Sequence, residues 1–350
     1  MTEAEILNPN VSSQEQLEHA LMAREAYPDP TRKVEFTETH ISLVFLTDDY
    51  VYKIKKPVNY GFLDFSTLEK RKHFCEKEVE LNKRLSPDVY LGILPVTFDN
   101  GTITLDGKGQ TIEYAVKMRR IPMENLMIRT LRENRLTSEM VERVAKAIAL
   151  FHAQSAVSNE IEQFGSIDVI KTNTAENFSQ TEKYIGLSLT KSQFDSIKSY
   201  TDNYLNNRGD VFNRRVAERR IKDCHGDLHL EHICLTEPIR IFDCIEFNDR
   251  FRYSDTAADI AFLAMDLDFN SRRDLSEVLM DAYVRFSGDK GVREVVNFYK
   301  VYRAYVRGKV MSFRLGPLDL SSLKEVLRTA QKYFDLADTF VQEEKHAQPC

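Results

Sequence analysis

Two aspartates sixteen residues apart, Asp227 and Asp243, stand in the stretches of this chain best suited to chemistry. The first lies in Cys224-His225-Gly226-Asp227-Leu228-His229-Leu230-Glu231-His232-Ile233-Cys234, the second in Ile241-Phe242-Asp243-Cys244-Ile245-Glu246. Each falls at the edge of a short β-like piece, so the two can converge on one cleft. One carboxylate could then accept a proton from a hydroxyl while the other holds a divalent cation. On spacing alone a purely structural reading stands level with this one, because paired aspartates at turns are common. The closeness of His225, His229 and His232 to Cys224 and Cys234 raises zinc as a rival. Against zinc, no Cys or His pair has a second pair at the usual distance. Residues spaced in this way on a β piece also cannot all converge.

A second pairing is readable further upstream. Phe74, Glu78, Leu81 and Leu85 recur at spacings of 4, 3 and 4, which places Glu78 on the apolar stripe of a helix. A carboxylate turned toward a core needs a cation. Lys53 shares a strand face with Val51 and is the natural partner. Lys55, two residues on along the same face, is its rival, and solvated lysines with Glu78 at the stripe edge are the third reading.

These residues need elements to hold them. Residues 1–33 are polar, with a short amphipathic stretch from Leu17 to Ala26 closed by Pro28 and Pro30. Runs 41–46 and 50–54 read as a β-hairpin split by Thr47-Asp48-Asp49. Strands around Leu94–Phe98 and Thr111–Met118, joined by a Gly-containing turn, complete a small sheet with one embedded helix. From Pro122 the pattern is mostly helical, with Val141, Val144, Ile148 and Phe151 marking one amphipathic helix. Short β-like pieces return at 221–224, 232–235 and 239–243, and the remainder from Asp255 to Val341 is helical.

Composition sets outer limits. A chain of 350 residues with 42% hydrophobic and 29% charged residues buries a real core and has room for two domains. Its 48 basic and 54 acidic residues give a net charge of −6, which argues against a general nucleic-acid binder. No apolar run approaches the roughly 18 to 20 residues that span a bilayer. The start, Met1 to Asn10, lacks a basic region followed by an apolar stretch, so no secretory signal is expected. Five cysteines, an odd number in a long chain, fit a reducing cytoplasm better than a disulfide framework.

The order of motifs resembles the aminoglycoside phosphotransferase-like kinases, which share the protein-kinase fold. His225-Gly226-Asp227 with a metal-ligand position five residues on, then Phe242-Asp243, resembles their catalytic loop and metal-binding aspartate. Tyr52-Lys53-Ile54-Lys55-Lys56-Pro57 resembles the strand lysine, and Glu78-Val79-Glu80-Leu81 the helix glutamate paired with it. Ala147 to His152 resembles the long helix ahead of the catalytic loop, and Asp255 to Leu263 the helix behind it. The run Asp243 to Asp249 resembles an uncharacterised bacterial branch often fused to a separate nucleotide-binding domain. No G-x-x-x-x-G-K-[ST] occurs in these 350 residues, so that domain is expected to be absent.

The resemblance implies an α+β, bilobal protein-kinase-like fold. Its expected parts are an N-terminal helical extension (1–34), a nucleotide-binding N-lobe (35–120) and a helical C-lobe (121–350). It implies ATP and magnesium as cofactors and transfer of the γ-phosphate to a hydroxyl of a small-molecule metabolite. Asp227 would orient or deprotonate the hydroxyl. Asp243 would hold magnesium, with His232 as a second metal or loop-stabilising position. Lys53, held by Glu78, would bind the phosphates. His225 and Asp259 would support the loop. Backbone near Lys117, Met118 and Arg119, read as the interlobe hinge, would hydrogen-bond adenine. Cytoplasmic location and the absence of nucleic-acid or membrane partners complete the expectation, and oligomeric state is left open.

Three departures stand out. Residues 1–60 hold no glycine, so the glycine-rich phosphate loop is missing, and backbone near Thr39 to Ser42 is the expected substitute. The family's asparagine at the second metal position is His232, although magnesium prefers oxygen ligands. A helix carrying Lys300, Arg303, Arg307 and Arg314, with no acidic residue from 300 to 314, departs from the acidic surface a polycationic substrate needs. Those cations either pair with a stripe of Asp255, Asp259 and Asp266, or bind an anionic acceptor. The split expectation is Arg303 structural and Arg307 at the acceptor, with Gly308 leaving room for a ligand. The first two departures keep a catalytically weak nucleotide-binding regulator in play, whereas residues 243–255 are too short for a protein kinase's activation segment.

Overall fold

The computed structural model describes residues 14–316 and 320–347; the expected features of Met1–Asn10, and Cys350, lie outside them. The first part of the chain runs α1 (Gln14–Leu21), β1 (Glu35–Glu38), β2 (Ser42–Leu46), β3 (Tyr50–Lys55), α2 (Leu68–Asn82), β4 (Tyr90–Asp99), β5 (Thr102–Leu105) and β6 (Gln110–Arg119). Helices follow: α3 (Met127–Arg132), α4 (Ser138–Gln154), α5 (Asn159–Glu162), α6 (Ile167–Thr181), α7 (Lys191–Asn207) and α8 (Gly209–Ala217). Short pieces β7 (Ile221–Asp223), β8 (Ile233–Cys234), β9 (Arg240–Ile241), α9 (Asp249–Arg252) and β10 (Tyr253–Asp255) come next. The chain ends in α10 (Thr256–Phe269), α11 (Arg273–Ser287), α12 (Val292–Phe313) and α13 (Leu320–Ala347). The fold is α+β, an antiparallel sheet followed by a mostly helical region. Contacts divide it into two compact units, one built from residues up to Asn125 with Arg240–Asp249, the other from Leu126–Ile239 with Arg250 onward.

The first unit is a six-stranded antiparallel sheet in the order β1-β2-β3-β6-β4-β5. Alternation along β3 sends Tyr52 and Ile54 to one face, where they pack with Leu17 and Leu21 of α1, Phe45 and Ala115. Lys53 and Lys55 therefore project to the opposite face, where α2 packs on β4 and β6 through Cys75, Val89, Tyr90 and Val116. The stretch expected as an N-terminal extension is thus core material: Leu17 and Leu21 are buried against the sheet, because an eight-residue helix has no stability of its own. A strand not expected from the sequence, β5, forms a hairpin with β4 through Asn100 and Gly101, both at positive φ.

The second unit is built on α10, in which every residue from Thr256 to Leu267 is buried. Helix α4 presents Val141, Val144, Ile148 and Phe151 inward, and its main neighbour is α11. Helices α10 and α13 both pack on α12. A buried ion pair fastens the start of α10: Arg215 grips Asp255 through Nε (2.9 Å) and Asp289 through Nη1 (2.6 Å), while Asp255 also caps the helix at Ala257 N.

Candidate active site

In the first unit, two lysines and three carboxylates share one buried cluster. Lys53 Nζ lies 3.0 Å from Glu78 Oε1 and 2.6 Å from Asp243 Oδ1; Lys55 Nζ lies 2.7 Å from Glu78 Oε2 and also bonds Glu246. The choice between Lys53 and Lys55 dissolves, since Glu78 is shared by both. Their environments differ. The Lys55 side chain is 1% exposed and enclosed by carboxylates, while Lys53 is 16% exposed and Asp243 41%. Only the Lys53 arm of the cluster is open to a ligand. Burial would strip the proton from Lys53, but Asp243 and Glu78 outweigh it and hold the ammonium well above its ordinary range. Burial likewise raises Glu78, and the two lysines bring it below the usual carboxylate range. Glu246 stays raised because burial exceeds the pull of Lys55.

Residues 240–249 reach this cluster by pinning their backbone onto the first unit. Ser86 Oγ donates to Ile241 C=O (2.7 Å), Asp243 N donates to the Tyr90 hydroxyl (3.1 Å) and Cys244 N to Asn82 Oδ1 (2.8 Å). Arg240 holds Asp88 with Nε at 3.0 Å. Between these anchors Asp243 sits at φ 61°, a left-handed conformation that aspartate tolerates better than most residues. Such strain is held by its surroundings and is concentrated at functional positions. Glu246 was missed in the sequence, although a carboxylate inside the apolar run Cys244-Ile245-Glu246-Phe247 signals a buried partner.

In the second unit, Asp227 is half-buried between two imidazoles. Its Oδ2 lies 3.5 Å from His229 Nε2 and 3.6 Å from His232 Nδ1. The three side chains converge, contrary to the expectation that they could not all do so. Residues 227–229 form a loop that enters a short 3₁₀ turn at Leu230, so strand alternation does not apply. The tautomers oppose zinc at this cluster. His229 Nδ1 accepts from Glu231 N (3.3 Å), which leaves Nε2 carrying its proton toward Asp227. His232 Nδ1 lies 2.9 Å from Asp227 C=O and donates to it, so only Nε2 remains as a ligand nitrogen. Burial would raise Asp227, yet His229, His232 and Arg307 together hold it far below the usual carboxylate range. His229 is raised: burial lowers it, and Asp227 more than compensates.

The loop itself is bolted from below. Asp259 of α10 accepts His225 N at Oδ2 (2.8 Å) and Gly226 N at Oδ1 (2.9 Å), and lies 3.2 Å from His152 Nε2. Burial raises Asp259, but the hydrogen bond from His152 and the electrostatics of His152, His225 and Arg303 bring it down to about 2, so it is an ionised acceptor throughout the neutral range. Gly226 adopts φ 85°, which a side chain would oppose. Arg303 donates to Gly226 C=O (3.0 Å) and Ala258 C=O (3.1 Å) and lies over the Phe262 ring, tying loop to helix.

Several sequence expectations fail on hydrogen-bond accounting. Lys117, Met118 and Arg119 lie inside central strand β6, between β3 and β4. Arg119 N donates to Val89 C=O and Arg120 N to Asp49 C=O, so these two backbone donors expected near the hinge are taken up within the unit, and the Lys117 side chain pairs with Asp29. At the β1–β2 turn, Ile41 N and Ser42 N both turn onto Thr39 Oγ1, which withdraws them from phosphate binding. Asp255, Asp259 and Asp266 do not form a pairing stripe for the basic helix. Their oxygens accept from Arg215, the loop backbone and Leu230 N respectively, while Lys300 pairs instead with Asp268 at 2.8 Å. Gly308 makes no room for a ligand: a Cβ there would stand 2.8 Å from the Phe334 ring, so the glycine serves close packing of α12 on α13.

No family model matches the chain. The uncharacterised protein Rv2004c of Mycobacterium tuberculosis is 32% identical over 285 residues, which is 81% of this chain and 55% of that protein. Uncharacterised protein Mb2027c of Mycobacterium bovis matches to the same extent, so the chain spans about half the length of the curated relatives it matches. Among solved structures, aminoglycoside 2'-phosphotransferase-IIIa in its GDP complex superposes with a TM-score of 0.55 at 16% identity, over 92% of this chain and 99% of that one. A choline/ethanolamine kinase family protein from Mesorhizobium loti gives 0.50 at 16% identity, over 94% and 98%. A thermostable mutant of aminoglycoside phosphotransferase APH(4)-Ia gives 0.51 at 10% identity, over 90% and 96%. The chain therefore carries the aminoglycoside phosphotransferase and choline kinase-like fold, and is a distant homologue of longer, uncharacterised mycobacterial proteins.

Proposed function

We propose that the protein is an ATP-dependent phosphotransferase acting on a hydroxyl of a small molecule. The observation that carries this reading is the setting of Asp227: a half-buried carboxylate 3.5 Å from His229 Nε2 and 3.6 Å from His232 Nδ1, on a loop whose backbone Asp259 fixes. A carboxylate held anionic by these neighbours is a poor proton acceptor from a free alcohol. Its work is to accept the hydroxyl's hydrogen bond and aim the oxygen, taking the proton only as the oxygen bonds to phosphorus. As that bond forms, the γ-phosphorus–oxygen bond to ADP breaks, and the proton passes from Asp227 to solvent. In the first unit Lys53, held by Glu78, would bind phosphate oxygens. Asp243, an oxygen ligand 41% exposed, suits magnesium, whose chemistry is to neutralise phosphate charge. His232 is a poor magnesium ligand, and its bond to Asp227 C=O supports a loop-stabilising role. Base contacts would begin at Ile121, past the last ladder bond at Arg120.

The inward-turned donors of Ile41 and Ser42 favour a second reading, a nucleotide-binding regulator with weak or no transfer. ADP release with magnesium-ATP against a library of hydroxylated metabolites tests both. Acceptor-dependent turnover supports the phosphotransferase. Tight ATP binding with no acceptor above the solvent background supports the regulator.

A further inference from the structure

Of the basic run Lys300, Arg303, Arg307 and Arg314 along and just past α12, the structure accounts for two as cohesion. Lys300 pairs with Asp268 and reaches Ser276 Oγ (3.1 Å), and Arg303 is spent on the carbonyls of Gly226 and Ala258. Arg314, at the end of the helix, is exposed. Arg307 is different. It is half-buried, yet no described carboxylate lies within ion-pairing distance. Its one hydrogen bond among the described residues runs from Nε to the Tyr333 hydroxyl at a long 3.4 Å. The two terminal nitrogens, which carry the planar fork, contact no described acceptor.

Burial disfavours the charged form of Arg307 and the charges of Tyr333, Asp227 and Asp266 offset it, but no described group takes the two fork nitrogens, which leaves them for an anion supplied from outside. The guanidinium is also held in place: Tyr333, whose ring lies 5.5 Å beneath it, is itself stacked on Phe269 at 3.8 Å. One turn before it on α12, Arg303 bonds the carbonyl of Gly226, the residue ahead of Asp227, so Arg307 lies on the helix that holds the hydroxyl-orienting loop of the same unit, and its charge is felt at Asp227 and Asp266. Asp266 does not neutralise it, because that carboxylate accepts from Leu230 N and Asn270.

We infer that the Arg307 fork binds an anionic substituent, carboxylate or phosphate, on the same small molecule whose hydroxyl Asp227 orients. This rests on the phosphotransferase reading, and it narrows the acceptor to a hydroxylated anion. Two oxygens of either group match the planar fork bidentately. A cationic acceptor would meet Arg307 as a like charge.

The test uses glycerate, glycerol phosphate, glycerol and choline as probes, each titrated calorimetrically with magnesium and a saturating non-hydrolysable ATP analogue that blocks the nucleotide site. The same four are offered as acceptors in an ADP-release assay. Wild type is compared with Arg307→Met, Arg307→Lys and the exposed charge control Arg328→Met, and each variant is melted. The inference expects at least one anionic probe to bind, glycerate or glycerol phosphate showing which group is taken, and glycerol and choline to bind far more weakly. Arg307→Met should weaken the anion by about tenfold or more with little change in melting temperature, Arg307→Lys by less, and Arg328→Met not at all. It is overturned if neither anion binds, if neutral or cationic probes are preferred, if anion affinity is indifferent to Arg307, or if Arg307→Met melts many degrees early. Arg307-dependent anion binding without transfer would uphold the inference while removing the phosphotransferase reading. Transfer that ignores Arg307 would do the reverse.

Discussion

Lys53 Nζ lies 2.6 Å from Asp243 Oδ1, a contact between residues 190 positions apart in the chain. The lysine assigned to phosphate oxygens and the carboxylate assigned to metal thus begin as one another's counter-ion. Magnesium-nucleotide would replace this pair with two new ones, metal on Asp243 and phosphate on Lys53. Asp243→Ala should therefore abolish the tightening of ATP binding by magnesium, and His232→Asn should leave it intact or improve it. Calorimetry with and without magnesium reads both; magnesium dependence that survives in Asp243→Ala would refute the assignment.

Asp227→Asn keeps the size of the side chain and removes its charge. Nucleotide binding should persist while transfer slows by a factor of order 10² or more. Steady-state turnover with an identified acceptor checks this, and an unchanged rate would remove Asp227 from the reacting centre.

Lys55 is expected to matter for stability more than for nucleotide. Lys55→Met leaves Glu246 as a buried carboxylate with a distant counter-charge, which should cost about 3–5 kcal/mol. The double variant Lys55→Met with Glu246→Leu should recover much of that loss. Chemical denaturation of wild type, both single variants and the double variant gives the comparison, and additive losses would show that the pair is not coupled.

Lys309 offers a pH signature. Burial, with Arg250 adding to it against Glu176, lowers this lysine to about 8, while its amine donates to Asn177 and Gln180. Between about 8 and the ordinary value of 10.5 the unfolded chain holds a proton that the native chain has lost, so stability rises with pH across that window. Below it both forms are charged and the burial penalty is fully present. The wild-type stability difference from Lys309→Met should climb from pH 8 to 10.5 and be flat below; a flat difference throughout would contradict the lowered value.

Gly308→Ala should destabilise by about 1–3 kcal/mol, since a Cβ would press into the Phe334 ring. A neutral or stabilising outcome in a urea melt would show that α12 and α13 have slack at this crossing.

Local pattern and hydrogen-bond partner differ in how far the sequence exposes them. The β2–β3 hairpin, the buried face of α4 and the Glu78 stripe were legible because periodicity of 2 or 3.6 needs only neighbours. Lys53, Glu78, Asp227 and Asp243 were legible as a motif order. What stayed hidden depends on which distant group takes each donor. Nothing local says that Arg119 N reaches Val89, that Asp255 belongs to Arg215, or that Phe334 fills the space at Gly308. The convergence of Asp227, His229 and His232 was hidden for a related reason: an irregular loop does not obey strand alternation.

Residues 240–249 complete the first unit after more than a hundred residues of the second have been made. During synthesis, the sheet that carries Lys53 and Lys55 emerges with Glu78 as its one acidic partner from this cluster, leaving two lysines to share a single carboxylate. Tyr90, Asn82 and Ser86 likewise wait for the backbone they will hold. Closing contacts across so long a separation is slow, and a nascent sheet with surplus buried cations is poorly sealed meanwhile. A ribosome-bound chain stopped short of residue 240 should thus be protease-sensitive around β3 and α2, and one extended well past residue 249, so that the segment has cleared the exit tunnel, should be protected.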